Sequence, residues 1–367
     1  MILSLGPTPL GDEYLLEPKD QPLHPLDLYQ CQDCGLAQLL NNASTFAHPH
    51  LYLTGSSPWA KDHFAEYAAR VTKQCELQQG DLVIDIGSND GALLANFQKL
   101  GMNVIGYEPE YDLALCSQKN GITTITSRFD KSTSGLAGGK AKLITANNMV
   151  ANLDELDPFM EGIVDLLAND GTFIFETFYL AEVLKNRAMD FVYHEQPLAF
   201  SVKPVKRLMR RYGLSLYRTE YHVARGGSIL FFCAVGKPEV EDDDDLLYDR
   251  KTYAAVAGSL DLEKYQTLAF LKRVKKNGKT ICGYGASATA TTLLYHFGLG
   301  EYLDFLVDDD TSKIGRYSPG LHLKVEPAMR SKDADYVLCL AWRFAEVFKH
   351  FYPESKLIAP LLHFRLL

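Results

Sequence analysis

The segment from Leu82 to Leu100 is the feature that most constrains the fold of this chain. It consists of a short apolar strand, Leu82–Ile86, a turn with two glycines, Gly87–Gly91, and an amphipathic helix, Ala92–Leu100. Glycine lets the backbone turn sharply and approach a ligand closely. The free amides at the start of the helix can bind polar groups of that ligand. The segment therefore predicts a parallel α/β sheet with a binding loop at one edge.

The alternation of strands and helices continues along the chain, after a first helix predicted over Lys61–Leu77. Further strands are predicted at Val104–Tyr107, Lys142–Ala146, Thr172–Glu176, Thr280–Tyr284, Phe305–Val307 and Tyr336–Leu340. An acidic run that follows Pro238 cannot be buried and marks a boundary. We therefore predict three parts, all in an α/β protein: a small irregular unit over 1–60, where prolines interrupt every long pattern, a doubly wound core over 61–237, and a second α/β domain over 246–367.

Charge and cysteine content exclude several classes of protein. The net charge of −9 argues against binding nucleic acid, which requires a concentrated basic face. The small basic cluster of Lys206, Arg207, Arg210 and Arg211 is read as a solvated helix face, with contact to an anionic substrate as the alternative. Seven cysteines, an odd number, do not form a disulfide framework, and we find neither a signal peptide nor a long apolar run. A cytoplasmic protein that contacts no membrane is expected.

The chemistry of the glycine turn favours one cofactor over another. Glu108 ends the next predicted strand, where a carboxylate can accept both ribose hydroxyls of an adenosine cofactor. The turn lacks the three glycines of a dinucleotide fingerprint, and Asp85, Asn89 and Asp90 put polar and acidic groups where a pyrophosphate would lie. Such groups suit the cationic amino-acid end of S-adenosylmethionine. An NAD-dependent oxidoreductase is therefore disfavoured.

Several short motifs resemble those of the sugar C-methyltransferases, which methylate C-3 of 4-keto-deoxysugar nucleotides. They occur in the family's order from about Leu3 to the C-terminus, at Gly87–Gly91, Gly106–Pro109, Ala146–Val150, Phe191–Glu195, Gly226–Ser228, Gly285–Ala288 and Gly315–Gly320. The resemblance implies a zinc-binding N-terminal unit, a Rossmann-like class I methyltransferase core and a Rossmann-like C-terminal domain that helps to bind the nucleotide sugar.

The resemblance, together with the loop chemistry, implies a set of binding residues. Those expected to hold S-adenosylmethionine are Asp85, Gly87, Ser88, Asn89, Asp90, Glu108, Asn147 and Asn148. Those expected to hold the acceptor are Arg225, Gly285, Ser287 and Arg316. The helix that follows Gly285 offers backbone amides to a phosphate. Asp308, Asp309 and Asp310 either hold a ribose or are simply solvated.

The N-terminal unit departs from the family's zinc pattern. The family uses two Cys-x-x-Cys pairs, whereas only Cys31 and Cys34 occur here. Two thiolates do not complete the four-ligand shell of a structural zinc site, although His48 and His50 could be recruited. We expect no metal.

The acceptor site departs more seriously, because Gln196 replaces the histidine that resembles the family's general base. Asn152, Arg225 and Thr289 also differ from the family. An amide does not titrate, so the candidate catalytic groups are Glu195 and His194 as bases, Tyr193 as a donor to an enolate, and Tyr52.

Purely structural interpretations of these residues also stay open. His194 could be a buried histidine with all its hydrogen bonds made, Glu195 could pair with a cation, and Tyr193 could serve packing alone. In an extended strand His194 would share a face with Gln196. The chain thus methylates a keto-sugar nucleotide, or a non-sugar metabolite, or it has kept the cofactor site without catalysis.

Overall fold

A seven-stranded, mostly parallel sheet forms the centre of the computed structural model, which describes residues 1–40, 53–56, 58–222, 227–241, 245–353, 356–361 and 365–366. Its strand order is β10-β11-β8-β7-β4-β5-β6. The strands are β4 (Leu82–Ile86), β5 (Asn103–Tyr107), β6 (Thr123–Ile125), β7 (Ala141–Asn147), β8 (Leu167–Phe178), β10 (Ser215–His222) and β11 (Ser228–Ala234). β11 runs antiparallel to both of its neighbours, β8 and β10.

Helices cover the sheet where apolar residues recur at helical spacing. Helix α2 buries Leu93, Leu94 and Phe97, one face of its two turns. The helices of this part are α1 (Pro58–Gln74), α2 (Ala92–Lys99), α3 (Tyr111–Lys119), α4 (Leu156–Leu166), α5 (Leu180–Lys185) and α6 (Val202–Arg211). The basic cluster lies on α6, where Arg210 pairs with Glu239 and Arg211 with Asp157. Arg210 and Arg211 thus lie on a solvated helix face with their charges compensated.

The order of the strands leaves one crevice at the carboxyl end of the sheet. The chain leaves β4 towards β5 on one side and later returns to β7 on the other. Connections that diverge in this way open a gap above the strand ends, where α/β proteins bind their ligands. The predicted loop follows β4 directly and therefore lies in that gap.

The N-terminal unit is a sheet, so the expectation of an irregular segment over 1–60 is wrong for its first 40 residues. Three antiparallel strands, β1 (Leu3–Thr8), β2 (His24–Gln30) and β3 (Ala37–Leu39), pair in sequence. A fourth, β9 (Leu198–Ala199), comes from the core and pairs with β3. Prolines stop long periodic runs, but short strands with a register shift between Ser4 and Pro7 accommodate them.

The C-terminal part is a second α/β unit with the strand order β14-β13-β12-β15-β16-β17. Its strands are β12 (Ile281–Tyr284), β13 (Phe305–Asp308), β14 (Val325–Pro327), β15 (Tyr336–Cys339), β16 (Leu357–Ala359) and β17 (Arg365–Leu366), and β17 alone is antiparallel to its neighbour. Its helices are α7 (Arg250–Lys276), α8 (Ala288–Phe297) and α9 (Ala345–Phe348). None of the helices that the structure describes is long and apolar enough to cross a membrane.

Candidate active site

The loop after β4 borders a cavity of about 720 Å³, the larger of two that meet between the core and the C-terminal domain. Gly87 and Asn89 both have positive φ, +72° and +51°, which bends the chain away from the strand. The predicted cofactor residues that line this cavity are Asp85, Gly87, Ser88, Asn89, Glu108, Asn147 and Asn148. Parts of the chain far apart in sequence are thus brought to one wall.

Two carboxylates at the strand ends dominate the electrostatics of this wall. Asp85 is buried, and burial raises its pKa to about 7, although the hydroxyl of Thr145 donates to it at 2.6 Å. The negative charge of Glu108 raises that pKa further. The Glu108 carboxylate itself accepts the backbone N–H groups of Asn89 (2.9 Å) and Glu110 (3.0 Å), so its position is held from both sides.

Part of the cavity lining is apolar and aromatic. Phe129 and Phe159 line the cavity and form an edge-to-face pair, and Leu153 and Met149 line it as well. A side chain at Gly87 would come within 3.2 Å of Met149, so the loop backbone is open only because this residue is glycine. A buried acid, a held carboxylate and an apolar surface are the kinds of group that suit the amino-acid, ribose and adenine parts of S-adenosylmethionine.

Asp90 does not belong to this wall, which corrects its assignment as a cofactor residue. Its carboxylate accepts the N–H of Gly55 at 2.8 Å and of Ala92 at 3.3 Å, and the hydroxyl of Thr54 at 3.2 Å. The first amides of a helix lack partners within the helix, and a carboxylate next to them satisfies one. Asp90 therefore joins the start of α2 to residues 54–55 and does not line the cavity.

The segment Tyr193–Gln196 brings a buried carboxyl group to the cavity. It forms a turn, closed by a hydrogen bond from the N–H of Gln196 to the carbonyl of Tyr193 at 3.0 Å. Glu195 is 9% exposed, and its Oε1 accepts the N–H of Asp12 at 2.8 Å, whereas its Oε2 has no hydrogen-bond partner among the described residues. Burial raises the pKa of this carboxyl. A desolvated carboxylate with one oxygen that accepts no hydrogen bond is a competent proton acceptor.

His194 lines neither cavity, and the condition under which it would share a face with Gln196, an extended strand, is not met. Alternation applies to an extended strand, and this segment is a turn. The His194 ring lies instead against the N-terminal sheet, with Nε2 3.2 Å from the carbonyl of Pro25 and the ring edge-to-face with His24. The ring is thus a buried, hydrogen-bonded structural histidine, and burial lowers its pKa.

A second cavity of about 460 Å³ adjoins the first at Asp12, Asn148, Tyr193, Gln196 and Ala288. Three cationic side chains line it, those of Lys313, Arg316 and Arg343, against the acidic Asp12 and Asp310. The predicted acceptor residue Ser287 lines it as well. Its hydroxyl accepts the N–H of Ala290 at 3.3 Å and thereby caps α8.

Gly285, in the glycine loop of the C-terminal domain, does not line this cavity. Gly285, predicted to bind the acceptor, has φ +111°, and a side chain there would lie 2.9 Å from that of Ala341. The amide of Ala286, which could have faced a phosphate, already donates to Asp308 at 2.5 Å. Gly285 therefore serves close packing, and Asp308 serves the loop. Asp310 lines the cavity, whereas Asp309 accepts from the hydroxyl of Tyr284.

Tyr52, Arg225, His48 and His50 lie outside the described residues. Cys31 and Cys34 lie together in the turn between β2 and β3, and both are free thiols. Within the described ranges, no group of three or more His, Cys, Asp or Glu side chains is placed to bind a metal ion.

Comparison with known proteins assigns both halves of the chain. The C-methyltransferase NovU of Streptomyces niveus is 29% identical, and the match covers 94% of this chain and 87% of NovU. Residues 59–219 match the methyltransferase domain family, and residues 233–352 match the family described as the C-methyltransferase C-terminal domain. The chain is an S-adenosylmethionine-dependent C-methyltransferase.

Solved structures that resemble this C-methyltransferase cover about half of it. Magnesium protoporphyrin IX methyltransferase from Synechocystis PCC 6803, solved with bound S-adenosylmethionine, is 15% identical with a TM-score of 0.37, over 48% of this chain and 79% of the other. The glycopeptide N-methyltransferase MtfA, solved with the same cofactor, is 14% identical with a TM-score of 0.38, over 52% and 98%.

The C-methyltransferase uses S-adenosylmethionine, which supplies an electrophilic methyl group on a sulfonium when bound. Residues that the sequence did not point to also line the site: Asp12, His63, Glu176, Lys313 and Arg343. Asp12 lies in the N-terminal unit, far from any motif. Glu176 ends a predicted strand, Arg343 follows Trp342, and Lys313 lies just before the Gly315–Gly320 motif, so these three had a signal nearby.

Proposed function

We propose that this enzyme methylates a carbon atom next to a carbonyl group in an anionic acceptor, and that the acceptor is a keto-sugar nucleotide. One observation carries the proposal: Glu195, whose Oε2 has no hydrogen-bond partner among the described residues, lines the cofactor cavity close to where that cavity meets a cationic one. Carbon methylation needs a base at the reacting carbon, and a nucleotide sugar needs cations at its diphosphate. The two needs are met on adjoining walls.

Glu195 is the proposed base. Removal of a proton next to a carbonyl requires an acceptor whose pKa approaches the working pH, and burial moves the pKa of this carboxyl in that direction. Gln196 has no proton-accepting group. Tyr193, which lines both cavities, is the proposed hydrogen-bond donor to the enolate oxygen. Its position on both walls puts it beside any acceptor that spans them.

The second cavity is the proposed site of the diphosphate. Arginine and lysine are the side chains that bind phosphate oxygens most strongly. Arg316 is held in place by the carbonyls of Ser312 (2.8 Å) and Tyr14 (3.2 Å), and Arg343 lies over the ring of Phe191 at 4.4 Å. Hydroxyl groups of Ser287 and Thr289 on the same wall add neutral donors. A keto sugar bound here would extend past Tyr193 towards the cofactor.

The cofactor assignment within the first cavity is likewise proposed. Glu108 would accept the ribose hydroxyls, and Asp85 would face the cationic amino-acid end. Asn147 and Asn148 would add polar contacts. The Oδ1 of Asn147 accepts the hydroxyl of Tyr67 at 3.4 Å, and Asn148, at φ +56°, donates its N–H to the carbonyl of Glu176.

The proposed units are the N-terminal sheet, the core over 61–237 and the C-terminal domain over 246–367.

Turnover tests the acceptor class directly. S-adenosylhomocysteine production is measured with a panel of 4-keto sugar nucleotides and of small neutral ketones, for the wild type, Glu195→Gln and Glu161→Gln. Glu161 is an exposed carboxylate on α4 and serves as the matched control. We expect the wild type to turn over a nucleotide sugar. Glu195→Gln should lose about 10²–10⁴-fold in turnover, the range for a general base. The control Glu161→Gln should keep the activity of the wild type.

Two results would contradict the proposal in different ways. Turnover with small ketones and none with nucleotide sugars would favour a non-sugar acceptor, the reading that Gln196, Asn152 and Thr289 leave open. Full activity of Glu195→Gln, with solvent deuterium still entering the carbon next to the carbonyl, would exclude Glu195 as the base.

A further inference from the structure

A short segment of the N-terminal unit, Gly11–Leu15, crosses from the core to the C-terminal domain between the two cavities. The carbonyl of Gly11 accepts the hydroxyl of Thr291 at 2.7 Å, and Leu15 exchanges two backbone hydrogen bonds with Tyr317, at 3.1 and 2.8 Å. A side chain at Gly11 would lie 2.9 Å from that of Ala288, so the segment packs directly on the first turn of α8. The segment is therefore fixed to the C-terminal domain on both sides of Asp12.

Asp12 contacts the proposed base and a cation at the same time. Its backbone N–H donates to Oε1 of Glu195 at 2.8 Å, while its carboxylate lies 2.6 Å from the ammonium of Lys313. Burial raises the pKa of Glu195, the backbone N–H of Asp12 lowers it, and the charge of the Asp12 carboxylate, a smaller effect, raises it. Asp12 lines both cavities, and Lys313 lines the second. A single residue, Asp12, therefore connects the proposed base with the cationic second cavity.

Lys313 is shared between the protein and the second cavity. Besides Asp12, its ammonium donates to the carbonyl of Ala286 at 2.7 Å and lies 4.9 Å from the centre of the Tyr14 ring. A lysine ammonium has three donors, so a third direction is available to a ligand. A doubly charged anion in the cavity attracts the ammonium more strongly than the single charge of Asp12 does. The Asp12 carboxylate then loses its counter-ion while it stays beside Glu195.

We propose that Asp12 and Lys313 form a coupling pair through which an anion in the second cavity makes Glu195 a stronger base. The inference rests on the proposed function, because it takes Glu195 as the base and the second cavity as an anion site. An uncompensated carboxylate next to a buried carboxyl disfavours its ionised form. Tyr193 and Gln196 flank Glu195 in its turn and carry no charge there, while His194 faces the N-terminal sheet. Asp12 is a positioning residue in this scheme, and proton abstraction is promoted only once the acceptor's phosphates are bound.

Proton uptake on ligand binding tests the coupling without any turnover. The probe is P1,P2-dimethyl diphosphate, a diphosphate diester that does not titrate near neutral pH. Calorimetric titrations of the full chain, without cofactor, in two buffers of different ionisation enthalpy between pH 5.5 and 8 give the number of protons taken up. We expect net proton uptake by the wild type, because the pKa of Glu195 should rise by about one pH unit when the probe binds.

Variants assign the uptake to the pair. Glu195→Gln and Asp12→Asn should still bind the probe but take up no proton, and Lys313→Met should bind it at least ten-fold more weakly. Lys324→Met, which removes an exposed lysine paired with Glu326, is the matched control and should behave as the wild type. Restored proton uptake in Asp12→Glu would show that the coupling depends on the negative charge at this position and not on the shape of the side chain.

The outcome separates the coupling from the proposed function. No binding of the probe at millimolar concentration, no uptake in the wild type, or equal uptake in Asp12→Asn would each overturn the coupling. Turnover of a keto-sugar nucleotide together with any of these results would leave the proposed function standing. Uptake that depends on Asp12 and Glu195, with no acceptor found in the panel, would support the coupling while the acceptor assignment failed.

Discussion

Asp85 carries a charge that the fold makes costly. It lies buried at the end of β4, and its pKa of about 7 compares with 3.8 for an exposed carboxyl. A carboxyl whose pKa is raised on folding binds more protons when folded, so the free energy of unfolding falls as pH rises through the interval between the two values. At about 1.4 kcal/mol per pKa unit, the full effect is of the order of 4 kcal/mol.

Replacement of Asp85 by asparagine should remove this dependence. The amide oxygen can still accept the hydroxyl of Thr145, and no charge is buried. We expect Asp85→Asn to resemble the wild type in stability near pH 4 and to become progressively more stable than it up to about pH 7, with no further gain above. Urea unfolding of the cofactor-free protein at a series of pH values measures the difference. A difference that is constant across that range would mean that Asp85 ionises normally.

Glu108 tests the cofactor assignment at the same scale. Loss of a hydrogen bond to a charged group costs about 1.5–3 kcal/mol, so we expect Glu108→Ala to bind S-adenosylhomocysteine more weakly by that amount in calorimetry. Asp112→Ala, which removes an exposed carboxylate at the start of α3, is the control. Since Glu108 also holds the amides of Asn89 and Glu110, the cofactor-free stability must be measured in parallel. Unchanged affinity would withdraw the ribose assignment.

At the scale of elements, the loop glycines serve two different purposes. Gly87 opens the backbone to the cavity, whereas Gly91 caps α2 and packs it on the neighbouring helix. A side chain at Gly91 would come within 2.5 Å of the hydroxyl of Ser117 and 3.0 Å of Ile122. Of these two glycines in one motif, only Gly87 lines the cavity.

Two alanine variants separate backbone strain from packing. Gly91 and Gly121 have similar positive φ, +77° and +82°, but a side chain at Gly121 meets nothing within 4 Å. Gly121→Ala should therefore cost only the left-handed strain, roughly 1–2 kcal/mol. Gly91→Ala should cost a further 1–3 kcal/mol or so for overpacking. Equal losses in denaturant unfolding would show that α2 and α3 separate easily.

At the scale of the whole molecule, a buried ion pair joins the core to the C-terminal domain. Asp190 accepts the indole N–H of Trp342 at 2.9 Å and lies 3.5 Å from the guanidinium of Arg343. Burial raises the pKa of Asp190, and the charge of Arg343 opposes that rise. The same arginine lines the second cavity, so the contact that joins the domains also shapes the proposed acceptor site.

Removal of the arginine should strand a buried charge. Loss of one partner of a buried pair typically costs about 3–5 kcal/mol, and we expect Arg343→Leu to lose that much stability at pH 8 and less at pH 5, where Asp190 can take up a proton. The double variant Asp190→Asn/Arg343→Leu should recover part of the loss. Urea unfolding at both pH values measures each variant. A loss below about 1 kcal/mol for the single variant would mean that solvent reaches Asp190.

Local pattern was sufficient for the strands and helices that carry the cofactor. Leu82–Ile86 is a strand as predicted, and the helix after it ends at Lys99, one residue before its predicted end, because apolar periodicity and glycine position act over a few residues. The N-terminal strands were missed because they are short and interrupted by prolines. Their alternation of buried Leu26 and Leu28 was nevertheless present in the sequence.

The sequence by itself determined which chemical groups stand at the strand ends, and only the tertiary structure decided which of them face the cavities. Asp90 and His194 have the right chemistry, but a helix start and a turn direct them elsewhere. Asp12 reaches Glu195 across a separation of 183 residues, through a contact that no local pattern encodes. Side-chain direction in turns and contacts between distant segments depend on the packing of the whole chain, which periodicity does not carry.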